Sequence, residues 1–223
     1  MSPADYKSRL GNKNRSRGSP ERDTLSAAFA TIDQILRPFR DIRPQEGYLY
    51  TANHLWLKPG PSQSWRIGLD EIASRLLAHV HEVIFPASSR LYAKRSYLLW
   101  INHSVGMVSI RAPLPVFVLA VNPTVRQEPH LLLAEPLQAG WLLEGHLSPE
   151  EGEHAIIPGP LITDWWQKDI DWLTDTVKEH IQRELDTGIG ETLPDGGKYL
   201  YDLPNILGPS NYRELLQHVM ELD

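Results

Sequence analysis

The chain contains no cysteine. Disulfides, thiolate nucleophiles and cysteine-ligated zinc or iron–sulfur centres are therefore excluded. No apolar run is long enough to span a bilayer. The first residues lack the apolar segment of a secretory leader, so a cytoplasmic location is the default expectation. No internal repeat is present. The glycine-containing run Gly188–Gly197 matches neither a P-loop nor a dinucleotide fingerprint and reads as turn chemistry. A net charge of -6 argues against wholesale nucleic-acid binding. The charge is uneven, however. Residues 1–22 hold six basic and two acidic side chains, which leaves +4 on that segment and -10 on the remainder. With Tyr6 its only aromatic residue, the basic segment reads as a solvated, disordered tail.

What is present suffices for one sizeable core with appended helices: 223 residues, 41% of them hydrophobic. From Thr24 a short helical pattern places Leu25, Phe29, Ile32 and Leu36 on one face, with Pro38 expected to end it. From about Gly47 to Leu147 the texture changes to short β segments punctuated by Pro and Gly. Strands are expected at Val80–Phe85, Tyr97–Ile101 and Met107–Ile110. The continuous apolar run Val116–Val121 reads as a buried strand, and Asp70–Leu77 as a helix. After residue 158 the period lengthens. Ile162, Trp166, Ile170, Leu173, Val177, Ile181 and Leu185 recur every three or four residues, which predicts an amphipathic helix with Thr163 near its start and Gly188 past its end. Lys198–Leu203 is a possible strand, and Asn211 and Glu214 suggest the cap of a last helix carrying Leu215, Leu216 and Val219. The expected organisation is a disordered basic tail (1–22), an N-terminal helical segment (23–46), a β domain (47–150) and a helical C-terminal extension (151–223).

Four segments of the β-rich region resemble the glycine-cleavage H-protein family, relatives of lipoyl carrier domains. Tyr50-Thr51-Ala52-Asn53-His54-Leu55-Trp56 is similar to the family's YTxxHxW opening. Ile67–Pro86 is similar to its IGITDxAxxxLGDIVxVxLP segment. Pro113–Asn122 stands where the family has PVSGEVxEVN, and Pro129–Trp141 where it has PxLVNxDPYGxGW. The separations match without a gap: 36 positions from Pro86 to Asn122, and 19 from Asn122 to Trp141. The resemblance implies an α+β chain built on a barrel-sandwich hybrid of small antiparallel sheets, with helical extensions at both ends.

The family carries lipoate on a lysine at the tip of an exposed hairpin, in the sequence ESVKA. Ungapped counting puts Asn102, His103, Ser104, Val105 and Gly106 on those five positions, so valine stands where the modified lysine would be. No lysine lies between Lys94 and Lys168, and Lys94 is eleven positions upstream of Val105. A ligase needs a primary amine to form the amide, and no other side chain offers one there. The resemblance with this departure implies an unlipoylated, non-catalytic scaffold or accessory subunit that keeps a carrier's docking shape. It implies no cofactor, and partners that are other protein subunits. The second hypothesis is an atypical lipoyl or aminomethyl carrier modified elsewhere. A third, an enzyme with its site in the C-terminal extension, finds no acid–base or nucleophilic set to support it.

Candidate interaction residues are His103, Ser104, Val105 and Gly106 at the expected hairpin tip, and Trp165 and Trp166 on the long helix. Adjacent tryptophans cannot face the same way. Trp166 belongs to the core stripe, and Trp165 either widens it or forms a contact surface. His103 and Ser104 suggest nucleophile chemistry only if an acidic partner is found, and otherwise form a polar turn. His79 and His81, two apart on an expected strand, share a face. Without a third ligand they imply a solvated pair and no metal. His54 is read as structural.

Overall fold

The computed structural model describes residue 30 and residues 32–148, 155–187 and 203–221. The basic segment 1–22 and the turn at Asp195-Gly196-Gly197 lie outside those residues. A helix, α1, spans 32–40. Pro38 lies inside it and does not end it. Phe39 and Ile42 beyond the proline are buried with Ile32, Ile35 and Leu36, and this burial outweighs the lost backbone donor.

Among the described residues, ten strands and three short helices before the long C-terminal helices form the β-rich body. In chain order they are β1 (Leu49–Thr51), β2 (Leu55–Pro59), β3 (Trp65–Leu69), α2 (Glu71–Leu76), β4 (Val80–Ile84), β5 (Arg90–Tyr92), β6 (Tyr97–His103), β7 (Gly106–Arg111), β8 (Val116–Val121), α3 (Pro123–Gln127), α4 (Leu131–Ala134), β9 (Trp141–His146) and β10 (Ile156–Ile157). They pair into a seven-stranded sheet, ordered β10-β1-β2-β3-β9-β8-β5, and a three-stranded sheet, β4-β6-β7. Every pairing is antiparallel. Inward rows such as Val83, Ile101 and Val108 of the small sheet and Leu57, Ile67 and Leu143 of the large one meet in a common core.

Turn chemistry holds the strands at their stations. Asp70 caps α2 by accepting from the Ala73 amide at 2.9 Å. Asn122 accepts from the Thr124 and Val125 amides and donates to the carbonyls of Ala139 and Trp141, which ties the start of α3 to the entry of β9.

Two readings of the β region are corrected. The run Val116–Val121 is buried on one face only: Val116 and Val118 point inward, while Phe117 and Leu119 are each 37% exposed on the outer face. The strand lies in an antiparallel sheet with one open side, so an apolar composition does not imply two covered faces. His79 and His81 do not share a strand face. His79 precedes β4 with φ +50, and a register shift falls between Val80 and Glu82.

The long helix α5 (Ile162–Thr187) begins one residue before Thr163, after a short 3-10 turn at Gly159–Leu161. Ile162, Trp166, Leu173 and Val177 are buried, and Ile170 and Ile181 are half-buried, so the predicted stripe faces the core from Ile162 to Ile181; the Leu185 side chain lies outside those described. The last helix, α6 (Leu203–Met220), starts earlier than expected. Leu203 belongs to it and not to a strand; the rest of the possible strand at 198–202 lies outside the described residues. Gly208, with φ +73, breaks α6 into two pieces, and Pro209 opens the second. Asn211 is no cap. Its amide donates to the Leu207 carbonyl across the break, at 2.9 Å. The helices meet where Trp172 stacks on His218, centroids 3.9 Å apart.

Candidate functional site

The hairpin β6–β7 pairs His103 with Gly106, leaving Ser104 and Val105 as a two-residue turn. The four residues singled out in the sequence therefore do form a hairpin tip. The tip is not open on all sides. His103 is buried, and its ring meets Tyr212 of α6 edge-on, with centroids 5.7 Å apart. Tyr212 is fully buried. Its hydroxyl donates to the Leu76 carbonyl at 2.7 Å and accepts from the Ala78 amide at 3.0 Å. One phenol thus joins α6, the end of α2 and the hairpin tip. Ser104 is exposed, and its hydroxyl lies 3.4 Å from the Ala78 carbonyl. Val105 is half-buried and packs against the core. Farther along the hairpin, the Ser109 hydroxyl donates to the Glu221 carboxylate at 2.7 Å.

His103 Nδ1 accepts from the Val105 amide at 3.3 Å, which assigns the neutral tautomer protonated on Nε2. Burial lowers its pKa, and nearby His81 and Arg213 push in the same direction. None of these neighbours is a carboxylate able to orient the ring as a base. Ser104 is not its hydrogen-bond partner among the described residues. The arrangement is a packed turn.

A second polar cluster joins the β body to α5. His54 Nδ1 lies 2.8 Å from Asp70 Oδ2, and Nε2 lies 3.3 Å from Asp169 Oδ2. The Trp166 indole donates to Asp70 at 3.1 Å, and its ring meets Tyr50 edge-on at 4.9 Å. Burial opposes a charge on His54, but the carboxylates of Asp70 and Asp169 overcome it and raise the pKa to about 10. Burial likewise raises the Tyr50 hydroxyl to about 12. His54 is 1% exposed and Asp70 is buried, so the cluster acts as an internal clamp, with Asp169 at its rim. Trp165, beside the clamp, is half-buried, and its indole nitrogen has no partner among the described residues. Trp165 and Trp166 therefore sit far from the hairpin tip in role: one stripe residue anchors α5, and its neighbour widens the covered face.

Sequence reasoning missed Tyr212 and the joining of His54 to Asp70 and Asp169. Tyr212 carries no local signal beyond being an aromatic residue on a helix, and Asp70 reads locally as the start of a helix. Among the described residues no group of three or more His, Asp or Glu is placed to hold a metal. No helix among them is long and apolar enough to cross a membrane.

A family model described as glycine cleavage H-protein matches residues 48–157. The glycine cleavage system H protein of Listeria monocytogenes is 31% identical over 123 residues, covering 55% of this chain and 94% of that protein. The chain belongs to the glycine cleavage H-protein family. The H protein of Nocardia farcinica is 33% identical over 100 residues, covering 44% of this chain and 75% of that one. The crystal structure of a glycine cleavage system H protein from Mycobacterium marinum aligns with a TM-score of 0.44 at 21% identity, covering 52% of this chain and 90% of that one. Helices α1, α5 and α6 fall outside the residues that the H-protein family model matches. Both features that close the hairpin tip and clamp the β body, Tyr212 and Trp166, come from those added helices.

Proposed function

We propose that this member of the H-protein family carries no lipoyl group and works as a non-catalytic scaffold or accessory subunit in a protein assembly. The observation that carries this reading is the hairpin turn itself. Its two residues are Ser104 and Val105, with no amine, and Val105 leans into the core. A lipoyl arm needs a lysine that a ligase can reach and that can swing between partners. The contact of His103 with Tyr212 supports the same reading, because α6 braces the tip that a carrier leaves free to present its arm. The family's docking shape then remains as a surface for other protein subunits.

The test is intact mass after co-expression with a lipoate ligase. The expected result is an unmodified chain. Gain of one lipoyl amide on any lysine overturns the reading.

One observation favours a second reading, an atypical carrier. Lys94 is exposed on the turn closed by the Ser96 amide and the Ala93 carbonyl, at 3.0 Å. Modification that disappears in Lys94→Arg would establish that carrier.

A further inference from the structure

The protein is acidic overall, yet one end of its β body gathers cations around exposed aromatic and aliphatic side chains. There the β4–β5 connection, β5 and the start of β6 enclose a groove of about 540 Å³, lined among others by Phe85, Leu91, Tyr92, Tyr97 and Trp100. Leu91 is 63% exposed and Tyr97 47% exposed. Leu91 stands opposite Phe117 of β8, so the apolar surface continues onto the outer face of the large sheet, where Phe117 and Leu119 are exposed. On the small sheet Ile84 stands opposite Trp100 and adds to the same rim.

Arg90, Lys94, Arg95, Arg111 and Arg126 surround this surface. None of them pairs with a carboxylate among the described residues, whereas Arg40, Arg66, Arg75 and Lys178 each do. Instead Arg111 lies over the Tyr97 ring at 4.2 Å, Arg126 over Phe85 at 5.5 Å and Arg90 over Tyr92 at 5.6 Å. Among the described residues the strand β5 is also the last strand of its sheet and pairs only with β8. A sheet edge bordered by an apolar groove is a template for an added strand. The ring of cations selects the charge of what is added.

We propose that this groove and the free edge of β5 bind an extended acidic segment of another protein, one that alternates carboxylate and apolar side chains. The apolar residues of that segment seat against Leu91, Tyr97 and Trp100, and its carboxylates meet the cations around them. A second copy presenting the same edge would set these cations against their own kind, so charge complementarity favours a separate acidic partner. The ring faces decide against nucleic acid. Tyr97 and Trp100 stack on each other at 5.6 Å, and guanidinium groups cover Tyr97, Tyr92 and Phe85, so few open faces remain for bases. This inference rests on the reading of the chain as an interaction subunit and names the partner's chemistry.

The experiment uses the full chain and a fluorescein-labelled peptide of alternating glutamate and valine, with a lysine–valine peptide and oligothymidylate as comparison probes. Anisotropy should show binding of the glutamate peptide, weakening as salt rises. Binding should fall about tenfold or more in the double variant Arg90→Glu with Lys94→Glu. Both positions are exposed, and an unchanged melting temperature verifies that the double variant is folded. Equal binding of the glutamate and lysine peptides overturns the proposal, as does tighter binding of oligothymidylate, or unchanged affinity in the folded double variant. The titration does not depend on lipoylation. Its failure therefore leaves the mass measurement standing, and a lipoylated chain that still bound the peptide would fail only the earlier reading.

Discussion

The imidazole of His54 lies 2.8 Å from the carboxylate of Asp70, and both side chains are shut off from solvent. Asp70 also caps α2 and receives the Trp166 indole, so a single carboxylate ties three elements together. Replacing one member of such a group strands the others without partners, which costs more than the pair contributes in isolation. Trp166→Ala should therefore lower stability by about 3–5 kcal/mol, combining lost aromatic burial with the loss of one of the two hydrogen bonds on Asp70 Oδ2. Chemical denaturation checks the value. A change below about 1 kcal/mol would mean that α5 does not rest on the β body.

The same cluster sets a pH dependence. The His54 pKa rises from 6.5 in the unfolded chain to about 10 in the fold. Folding therefore favours the protonated form. The stabilisation is complete below pH 6.5 and is lost as pH climbs toward 10. The unfolding free energy of the native chain should decline over that window by about 5 kcal/mol more than that of His54→Gln. Parallel profiles for the two proteins would refute the assignment.

Tyr212 offers a separable test of the brace at the hairpin tip. Tyr212→Phe keeps the ring against His103 but removes the hydroxyl that serves Leu76 and Ala78, and should cost about 1–2 kcal/mol. Tyr212→Ala should cost about 3–5 kcal/mol and loosen the turn. Amide hydrogen exchange at Val105, whose N–H is held by His103, reports the loosening directly. Unchanged exchange at Val105 in Tyr212→Ala would show that α6 does not brace the tip.

Gly68 gives a packing prediction inside β3. A Cβ at this position would run into the indole ring of Trp56, its neighbour across the strand pair. Gly68→Ala should destabilise by about 1–3 kcal/mol through overpacking, measured as a shift in the denaturation midpoint. An equally stable variant would mean that the ring has room to move.

Much of the β region was legible because its signals are local. The turn after His103, the helix beginning about Asp70 and the strands on either side of the hairpin follow from residue types a few positions apart. The amphipathic stripe of α5 was legible for the same reason, since a periodic apolar face must be covered whatever covers it. The family was legible because four motifs kept their separations, and those separations are set by strand lengths and turns.

The remainder was decided by contacts between distant residues. Pro38 reads locally as a helix end, but burial of Phe39 and Ile42 carries α1 past it. Val116–Val121 reads as buried on both sides, but its place near the edge of an antiparallel sheet leaves Phe117 and Leu119 outside. Nothing near Tyr212 in the chain announces Leu76 or His103, and nothing near His54 announces Asp169. Composition and period determine which surfaces must be hidden. Which surface hides which, and where a buried charge finds its counter-charge, is determined only once the chain closes and desolvation makes an unpaired group costly.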